Sequence, residues 1–268
     1  GFKSGGFGSF WIQDDQGNPP AYETGITQSD GYLPGTFRPE QMDSYELGFK
    51  TSYLDGAGNF DIVAFVYDYK DAQVISYVDV DFEDDGVTDA FSGRVLNVGQ
   101  TDGFGVEAST TVAMNENTTL YLSVGYLDTE ATGLSEVCGA DGVVAGDGLG
   151  CEGSRVFWAP EVTAAGKLDV DFPVQNGMIK SSVEVSYESE RGGSWEGNPE
   201  GMIDAYAVTN LRIGYESDDN WYIQAYAENL LDDFTWDGYN ANGGILPSHF
   251  FGPMRPRTLG IRTGISWD

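Results

Sequence analysis

In many segments of this chain, apolar residues stand at every second position and polar residues stand between them. In the closing segment, Leu259, Ile261, Thr263, Ile265 and Trp267 alternate with Thr258, Gly260, Arg262, Gly264 and Ser266. Successive side chains of a strand point to opposite faces of a sheet, so such a segment has one apolar and one polar face. The same split recurs at 44–53, 179–188, 209–216 and 221–228. The chain is therefore predicted to be all-β.

The composition favours β-strands and argues against nucleic acid as a partner. Thirty-seven glycines and an aromatic fraction of 13% favour strands and turns over helices. The 43 acidic and 13 basic residues give a formal net charge of -30, which would repel a phosphate backbone. Nucleic acid is therefore not expected as a partner. No apolar run reaches the roughly 18 residues of a transmembrane helix, but a barrel strand needs only about ten residues of alternating polarity.

The lengths of the connections distinguish a membrane barrel from a soluble sandwich, in which strands also alternate. Tight turns at 55–59, 114–117, 173–177 and 217–220 alternate with long connections at 11–39, 78–93, 131–155, 190–200 and 231–255. Outer-membrane barrels show this arrangement, with short turns in the periplasm and long loops outside. The pattern thus predicts a transmembrane antiparallel β-barrel, with about ten strands in this chain.

Several phrases of the sequence resemble TonB-dependent outer-membrane receptors. They lie at 1–7, 45–50 and 65–73, and the phrases at 228–233 and 256–260 resemble the closing pair of strands in that family. The resemblance implies that residues 1–268 are the C-terminal part of a receptor barrel, about the last ten strands of a 22-stranded barrel. It also implies an N-terminal plug domain and a TonB-contacting segment, for which this sequence has no counterpart.

The function that this resemblance implies is active import of a scarce nutrient across the outer membrane of a Gram-negative bacterium. A ferric-siderophore-type ligand is the leading candidate, and TonB would drive rearrangement of the plug. No enzyme activity is expected. The implied partners are the TonB complex, through the N-terminal part, outer-membrane lipid and lipopolysaccharide, and a small-molecule or metal-chelate ligand. A passive porin-type channel and a soluble β-sandwich binding module are the alternatives.

Aromatic residues in the long connections are the candidates for ligand binding, because rigid rings provide contact area at a small entropic cost. The candidates are Trp11, Tyr32, Trp195, Trp236, Tyr239, His249 and Phe250. Packing of the loops is the alternative role for the rings, and simple exposure is the alternative for His249. Since His249 is the only histidine, no Ser-His-Asp or Cys-His catalytic arrangement is predicted.

Carboxylates alternate along the acidic stretch that precedes and follows Gly86, a spacing that can wrap oxygen ligands around Ca²⁺. The candidate ligands are Asp79, Asp81, Glu83, Asp85 and Asp89. The match is incomplete, because Ser92 stands where an EF-hand loop has its bidentate Glu. A solvated acidic loop is the alternative, and no cofactor is required.

Cys138 and Cys151 lie in a glycine-rich segment of the third long connection. A disulfide between them would close a short loop and would indicate an oxidising compartment. On the chain-entropy argument, such a bridge would stabilise the fold by about 3 kcal/mol. Two free thiols are the alternative.

Overall fold

The computed structural model describes residues 1–7, 36–80, 90–133, 153, 155–156, 158–192, 201–240 and 250–265. Within these ranges the chain forms a series of β-strands and a short 3-10 turn at Leu54–Gly56. The strands are β1 Phe2–Lys3, β2 Gly6–Phe7, β3 Thr36–Phe37, β4 Glu40–Tyr53, β5 Gly58–Val80, β6 Ala90–Asn115, β7 Thr118–Thr132, β8 Val162–Val174, β9 Gly177–Glu188, β10 Arg191–Gly192, β11 Met202–Ile203, β12 Tyr206–Ser217, β13 Trp221–Glu228, β14 Trp236–Asn240, β15 Phe250–Pro253 and β16 Thr258–Ile265. No helix in this part of the chain is long and apolar enough to cross a membrane.

One antiparallel sheet dominates the fold. It has ten strands in the order β1-β4-β5-β6-β7-β8-β9-β12-β13-β16, so each strand pairs with the next one of the sheet along the chain. Three two-stranded ribbons, β2–β3, β10–β11 and β14–β15, lie between strands of the sheet in sequence. The predicted all-β fold and the count of about ten strands are confirmed.

The tight turns that the sequence predicted join strands at one end of the sheet, which is the periplasmic end in outer-membrane barrels. They occupy residues 54–57, 116–117, 175–176 and 218–220. Asp55, Asn176 and Asn220 have left-handed backbones, with φ of 53°, 62° and 63°. Asp and Asn tolerate this conformation because their short polar side chains can bond locally. Local sequence therefore favours three of the four connections, although Leu54 in the first of them is left-handed as well, with φ of 53°.

The long connections contain more strand than the sequence predicted. A loop was expected at 78–93, but β5 runs to Val80 and β6 begins at Ala90, in one continuing ladder. The expected loop at 190–200 includes β10, and the one at 231–255 includes β14 and β15. The ladders continue beyond the membrane because antiparallel pairing satisfies backbone N–H and C=O groups in any solvent.

The apolar face of the sheet is exposed, as a lipid-facing surface must be. Leu47, Leu259 and Ile261 are 80%, 69% and 72% exposed. In a sandwich these side chains would form the core between two sheets. The buried apolar residues in the described ranges are only Ala131, Ile203 and Ala227, and no second sheet larger than a ribbon accompanies the ten strands there. This arrangement is that of a barrel wall in lipid.

Aromatic side chains border the lipid face at both ends. Tyr45, Phe104, Tyr126 and Tyr187 lie toward the extracellular end, and Phe60, Phe172, Tyr215 and Trp221 lie toward the periplasmic turns. Tyr45 and Tyr53 of β4 lie roughly 26 Å apart along the strand at about 3.3 Å per residue, and a tilt of about 40° reduces this to about 20 Å across the membrane, close to the ~25 Å apolar band of outer-membrane barrels. These two bands of rings match the aromatic girdles of outer-membrane barrels.

Several glycines of the lumen face have rings from neighbouring strands lying across them. A Cβ on Gly103 would lie 2.2 Å from the ring of Tyr67, and a Cβ on Gly260 would lie 2.3 Å from the ring of Tyr226. Because these glycines have no Cβ, the neighbouring rings can lie flat along the wall. Cross-strand rings are a known way to stabilise glycine in a sheet. The rings stay at the wall and leave the interior of the barrel to other groups.

Candidate extracellular site and lumen wall

Three of the predicted ligand-binding aromatics belong to the strands of one extracellular ribbon. Trp236 and Tyr239 belong to β14 and Phe250 begins β15. The ribbon pairs Tyr239 with Phe251 and Asn240 with Phe250. The other four candidates, Trp11, Tyr32, Trp195 and His249, lie outside the described residues.

The predicted Ca²⁺ ligands and cysteines fall mostly beyond the described ranges. Asp79 lies next to the last residue of β5, whereas Asp81, Glu83, Asp85 and Asp89 are outside those ranges. Cys138 and Cys151 are outside them as well. Among the residues that the structure describes, no three His, Cys, Asp or Glu side chains form a metal-binding group. The Ca²⁺ site and the disulfide stay predictions.

The β14–β15 ribbon is ordered by contacts at its stem. The Met254 N–H donates to the Thr235 carbonyl at 3.0 Å, and Trp236 lies opposite Pro253. The rings of Phe234 and Trp236 meet edge to face, with centroids 5.2 Å apart. An aromatic pair of this geometry stabilises by about 1 kcal/mol beyond its buried area. The stem therefore presents Trp236, which is 38% exposed, in a defined position.

A second ribbon, β10–β11, lies beside the first one at the extracellular end. Ile203 of β11 is the largest fully buried side chain in the described ranges. Arg191 of β10 is also buried, forms an ion pair with Glu188, and lies 5.8 Å from the centre of the Tyr206 ring. A buried guanidinium needs such partners. The two ribbons thus form an ordered extracellular surface above β9 to β16.

The opposite extracellular corner of the sheet is held by the carboxylate of Glu40, which is 6% exposed. Its Oε1 atom accepts the Gln73 N–H at 2.7 Å and lies 3.4 Å from Lys3 Nζ. Burial alone would raise the pKa of Glu40, but the hydrogen bonds from Tyr69 and Gln73 and the charge of Lys3 outweigh it, so the pKa is lowered. Burial and the neighbouring Glu40 carboxylate raise the pKa of Tyr69 to about 12. Glu40 thereby joins β1, β4 and β5.

The polar face of the sheet carries ion pairs down the lumen wall. Lys50 and Asp61 pair at 3.4 Å, Lys167 and Asp169 at 2.8 Å, Lys180 and Glu216 at 2.7 Å, and Arg212 and Glu184 at 3.2 Å. Arg262 lies 5.7 Å from the centre of the Tyr226 ring. These pairs are partly exposed, so each stabilises the wall by no more than about 1 kcal/mol. They give a polar wall suited to contact with another polar surface.

A row of carboxylates crosses four strands on the outer face, just above the extracellular girdle. Asp43 lies opposite Asp68, Asp68 opposite Asp102, and Asp102 opposite Glu130. Lys70 forms an ion pair with Asp68. Like charges directly opposite each other destabilise a sheet, so this row is not there for strand pairing. Sequence reasoning missed it, although each Asp stands two positions from an outward aromatic or apolar residue of β4, β5 or β6.

The fold, the two faces and the aromatic girdles define a segment of a transmembrane β-barrel. A family model described as "TonB dependent receptor-like, beta-barrel" matches residues 4–230. The chain belongs to this family, as the phrases at 45–50 and 65–73 suggested. TonB-dependent receptors are transporters rather than enzymes.

Solved structures with the same fold include several receptors. The ferric yersiniabactin uptake receptor FyuA from Yersinia pestis aligns with a TM-score of 0.70 and 18% identity, over 100% of this chain and 34% of that one. BauA, the ferric preacinetobactin receptor from Acinetobacter baumannii, aligns with a TM-score of 0.59 and 17% identity, over 87% and 30%. The copper transporter OprC aligns with a TM-score of 0.61 and 13% identity, over 86% and 33%.

These alignments establish the fold alone, because the identities are low. The chain spans about a third of the length of FyuA, with 34% of that receptor covered. No curated protein matches the chain by sequence. The transported ligand must therefore be argued from the chain's own residues.

Proposed function

We propose that this chain is part of an active importer in the outer membrane of a Gram-negative bacterium, which takes up a ferric-siderophore-type chelate with energy delivered through TonB. The observation that carries the proposal is family membership together with an ordered aromatic ribbon, β14–β15, at the extracellular end of the wall. Rigid rings at the mouth of a barrel suit capture of a scarce organic ligand. FyuA is described as a ferric yersiniabactin receptor and BauA as a ferric preacinetobactin receptor, and both descriptions support a ferric chelate as the ligand class.

A plug domain from the rest of a longer protein is part of the proposal. A narrow barrel fills its interior with its own side chains. Here the rings of Tyr67 and Tyr226 lie flat against glycines, and the charged groups pair along the wall. Such a wall leaves space for a folded polar domain and offers it hydrogen-bonding groups. Movement of that domain would open the path for the ligand.

The charge of the chain restricts the proposed ligand. A formal charge of -30 produces a negative potential that disfavours a strongly anionic chelate during its approach. The extracellular ends of the described strands add to this potential, since the carboxylates of Asp43, Asp102 and Glu130 lie there in one row. The proposed ligand is therefore a ferric chelate with little net negative charge.

Uptake by cells tests the proposal. The full-length receptor is expressed in a strain that lacks its own siderophore receptors, and radioactive iron uptake is measured from a panel of neutral, cationic and anionic ferric chelates. The expected result is saturable uptake from a neutral or cationic chelate that stops when TonB is deleted or the proton gradient is collapsed. Copper, as the ion and as a chelate, is measured in parallel because OprC shares the fold. Uptake that persists without TonB, with open conductance in planar bilayers, would instead establish a passive channel.

The role of the ribbon is tested by Trp236→Ala. Loss of an exposed ring that contacts ligand should weaken binding of the best chelate from the uptake panel about tenfold or more. Phe172→Ala is the matched control, because Phe172 is an exposed ring of the periplasmic girdle and faces lipid. Equal binding by both variants and the parent would remove Trp236 from the ligand site.

A further inference from the structure

The phrases at 228–233 and 256–260 led to the family, and the structure shows what their polar residues do. They lie where β13 ends and β16 begins, immediately above the last paired residues, Glu228 and Thr258. Asn229 and Asp232 both have left-handed backbones, with φ of 49° and 60°. Asn229 is also 4% exposed, which is unusual for a polar residue at a loop. These features indicate a built structure at the base of the last extracellular loop.

Asn229 ties the two arms of this loop together. Its Nδ2 atom donates to the Asp233 carbonyl at 2.8 Å and across the loop base to the Arg255 carbonyl at 3.2 Å. Its Oδ1 atom accepts the Asp233 N–H at 3.1 Å. Its own N–H donates to Asn210 Oδ1 at 3.0 Å. The side-chain amide is thus fully used, as a buried amide must be.

Asp232 makes a second link between the same two arms. Its Oδ1 atom accepts the Arg257 N–H at 3.1 Å, and its Oδ2 atom lies 3.4 Å from Arg257 Nη2. Arg255 Nη1 lies 3.4 Å from Glu228 Oε2 and adds a third, more exposed contact. We call Asn229, Asp232 and Arg257 the loop-base clamp. Both stems of the β14–β15 ribbon leave directly from this clamp.

We propose that the loop-base clamp positions the β14–β15 ribbon for ligand capture, so that Asn229, Asp232 and Arg257 act as positioning residues without touching the ligand. The claim that the ribbon captures the ligand rests on the proposed function. The claim that the clamp orders the ribbon does not. β13 and β16 are already joined by a continuous ladder from Trp221 to Glu228. The clamp therefore adds little to the pairing of these strands and acts on the stems that rise above it. A supporting shell of this kind keeps binding groups in productive geometry.

The sharpest variant is Asn229→Asp. Aspartate has nearly the same shape, tolerates the left-handed backbone and keeps the oxygen that accepts the Asp233 N–H. It loses both Nδ2 hydrogen bonds, including the one that crosses the loop base to Arg255. Asn176→Asp is the matched control, because Asn176 is also left-handed, with φ of 62°, and lies in a periplasmic turn far from the ribbon.

Hydrogen exchange of the full-length receptor measures the effect on the ribbon. In Asn229→Asp, the amides of 235–240, 250–252 and 254 should exchange about tenfold faster, while the amides of β13 and β16 and the heat resistance of the barrel stay at parent values. Asp232→Ala should act in the same way, and Asp232→Asn should recover part of the protection because its Oδ1 atom can still accept the Arg257 N–H. Asn176→Asp should leave the ribbon unchanged. Unchanged exchange of the ribbon in Asn229→Asp and Asp232→Ala would overturn the proposal.

A general structural role gives a different result and also overturns the proposal. In that case exchange would rise equally in β13 and β16, and the barrel would unfold at lower temperature. Ligand binding is then measured with the ferric chelate that the uptake panel identifies. The clamp variants should raise its Kd severalfold at an unchanged number of sites, and an unchanged Kd would refute the claim that the ribbon captures the ligand. If no chelate is taken up, the proposed function fails while the exchange result still decides whether the clamp orders the ribbon.

Discussion

At the periplasmic end of this wall, neighbouring strands are joined by tight turns such as 175–176, whereas at the extracellular end they are held by side chains from distant parts of the chain. Glu40 accepts the N–H of Gln73, and Asp232 accepts the N–H of Arg257. The difference follows from the lengths of the connections. A short turn fixes the path of the chain between its two strands, but a long loop leaves the two segments above the ladder free unless side chains join them. The ladders keep the wall closed, and these side chains fix how the ends of the long loops leave it.

The largest expected effect comes from removing the Glu40 carboxylate at the extracellular corner of the sheet. Glu40→Ala deprives the Gln73 N–H, the Tyr69 hydroxyl and Lys3 of their shared partner. Leaving these groups unpaired should cost about 2–3 kcal/mol of local stability. Exchange of the Met42 and Gln73 amides in the full-length receptor checks this, since the Met42 N–H bonds the Gly1 carbonyl at the same corner.

Glu46→Ala is the control for this prediction. Glu46 belongs to the same strand, where it lies opposite Phe65 on the lumen face. Its loss should leave both amides protected. Similar exchange in the two variants would show that the corner is held by β-pairing alone. Side chains would then not distinguish the extracellular end of the wall from the periplasmic end.

The next largest effect is expected at a periplasmic turn. A Cβ on Gly177 would lie 2.3 Å from the Glu216 carbonyl oxygen, so Gly177→Ala forces the backbones of β9 and β12 apart. The expected loss is about 2 kcal/mol, measured as a lower urea midpoint of the refolded receptor. Gly48→Ala is the control, because the nearest atom to its Cβ would be at 3.6 Å. An equal midpoint for both variants would contradict this steric explanation.

A smaller effect is expected where the turn needs only a left-handed residue. Asn176→Ala places a Cβ with no local hydrogen-bonding capacity at a φ of 62°, which should cost about 1 kcal/mol. Asn176→Gly should be close to neutral, since glycine accepts this backbone without strain. Both changes are read from the urea midpoint, and exchange at Gln73 and in the β14–β15 ribbon should not change. Propagation of the Asn176→Ala effect to those distant amides would show that the two ends are coupled.

The same contrast explains what the sequence could and could not predict. Alternation and turn residues such as Asn176 and Asn220 are local signals, so the strands, their faces and the periplasmic turns could be predicted from the sequence. Glu40 could not be identified, because its partners Lys3 and Gln73 become neighbours only when β1, β4 and β5 are in register. A slip of one residue would reverse the two faces and separate these groups.

The candidate site shows the same limit. Aromatic content indicated Trp236, Tyr239 and Phe250, which belong to one ribbon, and their role in ligand binding stays a prediction. The prediction of an unstructured connection there was wrong in part, since strand pairing continues above the membrane. The sequence indicates Asn229 only as part of 228–233, the segment that resembles the closing strands of the family. Its role depends on the Arg255 carbonyl 26 residues away, which a single sequence does not reveal.

The smallest expected effect is a dependence of the extracellular corner on pH. The pKa of Glu40 is lowered from its usual 4.5, so the carboxylate contributes its full stabilisation above that value and loses it as the pH falls through the lowered pKa. The pKa of Tyr69 is raised to about 12, so the neutral hydroxyl stabilises the corner below its usual value of 10.0 and this contribution is lost as the pH rises toward about 12. Protection of the Met42 amide, corrected for intrinsic exchange, should therefore be constant near neutral pH and decline only below about pH 4.5 and above about pH 10.

Glu40→Gln should abolish the acid decline, whereas Asn176→Asp at the periplasmic turn should not. An acid decline that survives in Glu40→Gln would assign the pH dependence to other carboxylates, with the row at Asp43 and Asp68 as the first to examine.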